Sequence, residues 1–146
     1  MSLVSVERLL SGSVPPDRAC GDCTACCTVM AVTELRKPSR RACDHVGRDG
    51  CRVHDARPES CRAFNCAWLR GVIAGGEAHR PDALGVMFDS FVERGSGATR
   101  VLAFELWPGA LDAEPARAVV ASLAAAHEVH VSRRDGAWSV AGSVGP

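Results

Sequence analysis

Four cysteines fall within the eight residues CGDCTACC, at Cys20, Cys23, Cys26 and Cys27, and four more follow at Cys43, Cys51, Cys61 and Cys66. Two residues between cysteines is the spacing at which a tight turn brings sulfurs about 3.5–4 Å apart, as tetrahedral zinc with Zn–S near 2.3 Å requires. The overlapping run Cys20, Cys23, Cys26 also reproduces the first part of the bacterial ferredoxin pattern, in which three cysteines occupy three corners of a cubane cluster. Spacing therefore allows zinc or iron–sulfur. Cys27 adds a constraint, because neighbouring residues point their side chains apart and rarely serve one mononuclear ion together. It argues for two metal centres or for one multinuclear cluster. Eight sulfurs suit two four-thiolate sites, a binuclear thiolate cluster, or one four-cysteine cluster with four others.

The redox setting decides between metal and disulfide. The N-terminal MSLVSVERLLSG has no cationic start, and Glu7 and Arg8 interrupt its apolar stretch, so it makes a poor signal peptide. No run of about 18 apolar residues exists to span a membrane. A cytoplasmic protein with reduced thiols is the expectation, and there a cysteine cluster reads as metal-binding or redox-active before it reads as a disulfide framework. Some cysteines can instead simply pack as small hydrophobes, but four in eight residues exceed what packing needs.

Formal net charge is zero, and neither nucleic acid nor an anionic membrane is an expected partner. Residues 1–70 carry 11 Lys+Arg against 8 Asp+Glu, and residues 71–146 carry 6 against 9. All eight cysteines lie in the positive half. Four thiolates around a divalent ion are doubly negative, so the arginines offset sulfur charge better than they attract phosphate. There is no dense basic run with interleaved aromatics, no phosphate-binding glycine loop, no HExxH, no GxSxG and no paired acidic motif.

Across residues 20–66, under a third of the chain, CGDCTACC, CDHV, GCRVHDARPESC and RAFNC resemble the YkgJ-type CxxCxxCC cysteine-cluster family, described as zinc- or iron-chelating. All eight family cysteine positions are filled, with Arg57–Pro58 between them. The resemblance implies an intracellular metal-binding domain whose ligands are Cys20, Cys23, Cys26, Cys27, Cys43, Cys51, Cys61 and Cys66. It supplies no reaction. Family members commonly have Cys-Pro-His-Leu where this chain has Cys43-Asp44-His45-Val46, and Tyr where it has His54, which sets His54 outside the ligand set. His45 remains a candidate fourth ligand or hydrogen-bond donor to a thiolate. His79, His127 and His130 read as surface or satisfied histidines, Arg57 as paired with a carboxylate or carbonyl, and Trp68, Trp107 and Trp138 as core anchors.

These residues need elements to position them. Residues 3–10 suit a short helix, stopped by Gly12, Pro15 and Pro16. TVMAVTEL (28–35) offers the β-branched residues of a strand, and 36–41 a polar loop. CDHVGRDGC (43–51) reads as a loop with its ends tied together. A helix beginning near Pro58 would align Cys61, Phe64 and Trp68, yet place Cys66 about 140° from Cys61, so it must break between those two sulfurs for both to reach one metal. Beyond residue 78 the pattern changes. LGVMFDSF (84–91) and TRVLAFELW (99–107) predict one hairpin, 112–127 a helix capped by Asp112 with Val119, Val120 and Leu123 inward, and 128–132 with 137–141 a second hairpin. The tail from Gly142 reads as frayed. The expected fold is α+β: a cysteine-rich metal-binding module (1–78) packed on a ββαββ layer (79–146), the two together making one compact domain. Three functions fit: a metal-binding module, with the second half meeting a protein partner or capping the site; an iron–sulfur electron carrier, or part of an oxidoreductase or modifying enzyme; and metal trafficking or redox sensing by labile thiolates.

Overall fold

Strand alternation and one amphipathic helix build the larger part of the molecule. In the computed structural model, which describes residues 3–21, 23–47, 50–52, 56–59, 61 and 64–142 and leaves aside the side chains of Thr33, Val46 and Cys51, four strands form a sheet in the order β3-β4-β5-β6. They are β3 (Val86–Val92), β4 (Thr99–Glu105), β5 (Val129–Ser132) and β6 (Trp138–Ala141), and a separate short pair, β1 (Val46–Gly47) and β2 (Gly50–Cys51), precedes them. Strands β3 and β4 are antiparallel with Phe88 opposite Ala103, and β5 and β6 are antiparallel with Val131 opposite Ser139. The central pair β4 and β5 is parallel, Val101 facing Val129, and the connection between them carries the helix α3 (Ala116–Ala124). A parallel pair needs such a crossover, whereas the hairpins need only tight turns. The fold is thus mixed α/β, with few helices and one four-stranded sheet.

Along β4, Val101, Ala103 and Glu105 are buried and the residues between them half-buried, the period of two that puts one face against a core. Ala116, Val119 and Leu123 of α3 close on that face at i, i+3 and i+7. The first half of the chain joins the same core. Leu9, Trp68, Val72 and Ile73 pack with Phe88, Val101 and Val129, while Val4 bridges Ile73 and Ser5 N–H donates to the Val72 carbonyl. Arg18 donates to the carbonyls of Trp68 and Ile73 and stacks over the Trp68 ring at 4.6 Å. Buried Arg70 likewise holds the carbonyls of Leu9 and Asn65 and the Ser90 hydroxyl. Glu105 accepts the backbone N–H groups of Leu111 and Arg134, tying both loops at that end of the sheet.

The other sheet face carries the attachment point of α1, the helix at Ala25–Val29. Helix α1 (Ala25–Val29) lays Ala25 and Val29, one turn apart, onto Met87, which is fully buried. Residues 28–35, expected as a strand, instead finish α1, pass through a 3₁₀ turn at Thr33–Leu35, and make only a bridge between Val32 and Lys37. A β-branched segment needs a sheet edge to pair with, and burial against Met87 overrides that propensity. Residues 3–10 similarly form only a 3₁₀ turn at Val6–Arg8 because Val4 is drawn into its bridge. Helix α3 begins later than expected: Asp112 lies in a preceding 3₁₀ turn, with its carboxylate on Arg133 rather than on the helix.

Two tryptophans also depart from expectation. Trp68 is 3% exposed, but Trp107 is 45% and Trp138 58% exposed. Trp138 meets Phe104 edge-on on the open part of the second face. Trp107 lies over Gly85, the left-handed residue (φ 86°) that ends α2 (Pro81–Leu84); a Cβ there would come within 2.7 Å of the indole. The tail beyond Gly142 lies outside the described residues.

Replacing Leu123, wholly buried between α3 and the sheet, with Ala should cost about 2–5 kcal/mol of unfolding free energy. Urea unfolding followed by circular dichroism checks this; a loss below about 0.5 kcal/mol, as at a surface position, would contradict the packing described.

Candidate metal centre

The first pair of sulfurs is set by a turn. Cys23 N–H donates to the Cys20 carbonyl at 3.0 Å, and Gly21 takes a left-handed conformation within that turn, so the two side chains emerge close together. Helix α1 follows and carries Cys26 and Cys27. Expected to diverge, these adjacent thiols are hydrogen-bonded to each other. The chain then loops out and returns: Arg40 N–H donates to the Val29 carbonyl and Cys43 N–H to the Cys27 carbonyl, each at 2.9 Å. Cys43 thereby lies beside the end of α1. Within the loop, Arg36 (φ 52°) and Arg40 (φ 66°) are left-handed, a conformation that costs a side-chain-bearing residue energy and persists only where surroundings enforce it. Arg40 shows the enforcement. Its guanidinium reaches the sheet, donating to the Glu105 carbonyl at 2.6 Å and to the Ser132 carbonyl and hydroxyl at 2.8 and 2.7 Å.

Cys61 and Cys66 arrive from the other side. Cys61 N–H closes a turn onto the Pro58 carbonyl, residues 64–66 are not helical, and Ala67 N–H is captured by the Phe88 carbonyl of β3 at 2.8 Å. That capture ends the helical pattern between Cys61 and Cys66, the break that a shared site demands.

The result is a cavity of about 450 Å³ lined by Cys20, Cys23, Cys26, Cys61 and Cys66, with Arg57, Phe64 and Met87 in its wall. A smaller apolar cavity of about 60 Å³ is lined by Cys20, Cys23, Cys26, Cys27, Cys43 and Cys61, with Val32, Leu35 and His45. Every cysteine whose side chain is described lines one or both, and all seven are free thiols. Among the described residues, no three His, Cys, Asp or Glu side chains converge closely enough to hold a metal ion. Thiol is the donor type that zinc and iron take, but in the conformation described these thiols do not meet at one point. Cys51 has its backbone in β2, opposite Val46, and its side chain lies outside the described residues. His54 lies outside them too. His45 is near the thiols, its N–H donating to Cys43 Sγ at 3.4 Å. His130 lies instead beside Glu128 on the sheet, and His79 sits in a 3₁₀ turn before α2.

Burial raises the Cys20 and Cys23 thiols above the usual range, with the Arg57 and Arg80 charges opposing the rise at Cys20. The hydrogen bond to Cys27 and then burial push Cys26 far up, and its neighbours Cys20 and Cys23 add to that. Cys66 is pushed up to about 11, chiefly by burial. These thiols resist ionising one by one, because each thiolate would repel the next in a poorly solvated space. A divalent cation removes that repulsion.

The sequence reading treated 36–41 as a polar loop and missed Lys37, which is buried. The available signal was its singularity: it is the only lysine among sixteen arginines, placed between Cys27 and Cys43.

Comparison of this chain with family models, with curated proteins and with solved structures returned no match.

In the metal-free protein at pH 8, Cys66 should react with iodoacetamide on the order of 100-fold more slowly than free cysteine, since a thiol titrating near 11 is almost wholly protonated there. The rate should climb as pH rises toward 11. Mass spectrometry of the Cys66 peptide against time gives it; a rate equal to that of free cysteine would contradict the buried placement.

Proposed function

We propose that this protein is a metal-binding protein with a thiolate-ligated zinc or iron centre, of the kind that its resemblance to YkgJ-type cysteine-cluster proteins implies. The observation that carries the reading is the sharing of two adjoining cavities by all seven described cysteines. In this reading Cys20, Cys23, Cys26, Cys27, Cys43, Cys51, Cys61 and Cys66 are the ligands, His45 supports Cys43 from its backbone, and residues 1–78 form the metal-binding region. The bound metal supplies positive charge and coordinate bonds in place of the thiol protons. Residues 79–146 cap the centre through Met87 and present their outer surface to a protein partner. Zinc is the metal expected after aerobic purification, with iron the alternative in the cell.

A second reading, an iron–sulfur cluster serving electron transfer or part of an oxidoreductase or modifying enzyme, is favoured by the run Cys20, Cys23, Cys26, all three of which line both cavities. The reading takes the protein to work in the cytoplasm without membrane or nucleic-acid partners; among the described residues no helix is long and apolar enough to cross a membrane.

Elemental analysis of protein purified without oxygen should find stoichiometric zinc or iron; colourless zinc protein opposes the cluster reading, and a brown protein with a broad visible band supports it. Because structural metal binding is also folding free energy, on the order of 10–16 kcal/mol for zinc peptides, chelation should expose residues 20–70 to protease and lower the melting temperature. Protein with no bound metal, and with melting unchanged by chelator, would refute both readings.

A further inference from the structure

Lys37 carries the only ammonium side chain in the protein and is 8% exposed. It donates to the Met30 carbonyl and, at 3.4 Å, to the Pro38 carbonyl. Among the described residues no carboxylate pairs with it. A buried charge with only carbonyl dipoles around it is expensive unless an opposite charge lies near. Lys37 bridges Val32 in the loop whose ends are joined by the Cys43-to-Cys27 hydrogen bond. It lines a cavity of about 200 Å³ with Cys43, Asp44 and His45 and with Arg36 and Arg41 at its edge, and Leu35 walls both that space and the thiol cavity. Burial lowers the Lys37 ammonium below its usual range, and the sulfur charges that oppose this are, in falling order, those of Cys43, Cys27, Cys26 and Cys61.

Arg57 lines both thiol cavities and, with Arg80, offsets charge at Cys20, but on the Cys27 and Cys43 side the nearby arginines do not take this place. Arg36 and Arg41 are exposed, and Arg40 is spent on sheet carbonyls.

We propose that Lys37 is the internal counter-cation of the thiolate centre, holding positive charge against Cys27, Cys43 and their neighbours when these bind a divalent metal. The inference rests on the metal-binding reading. Four thiols that release four protons to a divalent ion pass from neutral to doubly negative. A fixed positive charge beside them therefore favours the bound state, although it would repel a bare cation.

Chelator competition for zinc on the full-length chain tests the proposal with the wild type, Lys37→Gln, Lys37→Met and Lys37→Arg. Glutamine keeps a hydrogen-bond donor for the Met30 carbonyl but not the charge, and arginine keeps the charge. Lys37→Gln and Lys37→Met should bind zinc about 10–100-fold more weakly, the range for groups that support metal ligands, while Lys37→Arg retains most of the affinity. Wild-type affinity in Lys37→Gln, or a loss in Lys37→Arg as large as in Lys37→Gln, would overturn the assignment. A wild type that binds no zinc and no iron would instead sink the metal-binding reading itself. Should the uncharged variants fail to fold, acylation of the wild type by an amine-reactive ester decides. Zinc should slow labelling of Lys37 relative to the N-terminal amine; an unchanged ratio overturns the proposal.

Discussion

A five-residue helix does not hold itself together in water, since a single turn fixes several residues in return for very few hydrogen bonds. Helix α1 exists because Ala25 and Val29 close over Met87 on the sheet. That small apolar contact is what the cysteine region depends on. It sets the direction of α1, and hence the side from which Cys26 and Cys27 face the cavities. It also makes Met87, Phe64 and Phe104 neighbours of the thiols, so the site is walled by hydrocarbon on its sheet side. The raised thiols follow from that wall.

Arginine supplies the second kind of attachment. Arg18, Arg40 and Arg70 each run from one segment to backbone carbonyls of another, where the planar fork of donors can satisfy two acceptors at once. The loop 30–43 shows why this matters. It has no sheet to join and contains two left-handed arginines, so its returning end is held by the Arg40 and Cys43 N–H groups on α1 carbonyls and by the Arg40 guanidinium on β4 and β5. With the loop in place, Cys43 meets Cys27 and Lys37 is enclosed. Part of the cationic excess of the first half is thus structural wiring, while Arg57 stands in the wall of the thiol cavities.

Legibility differed sharply between the two halves. The strands β3 to β6 and helix α3 each fell within a few residues of where alternation, turn residues and the Val119 and Leu123 spacing put them. Those patterns are local, and the core they form is regular. Around the cysteines, local pattern misled: TVMAVTEL has strand composition but follows α1 into a bridged loop, and the Cys61 to Trp68 periodicity ends when Ala67 is captured by β3. Trp107 and Trp138 were misjudged because an apolar segment at a sheet's edge or open face buries only part of its side chains.

Residue type and spacing alone determined the CxxC turn at Cys20 and Cys23 and the ββαββ succession, because each depends on contacts a few residues apart. Tertiary structure decided which sulfurs share a cavity, that Cys26 and Cys27 touch, that the chain breaks before Ala67, and that Lys37 is enclosed. Those outcomes join residues tens of positions apart through the sheet, and no periodicity within a segment encodes what packs against it.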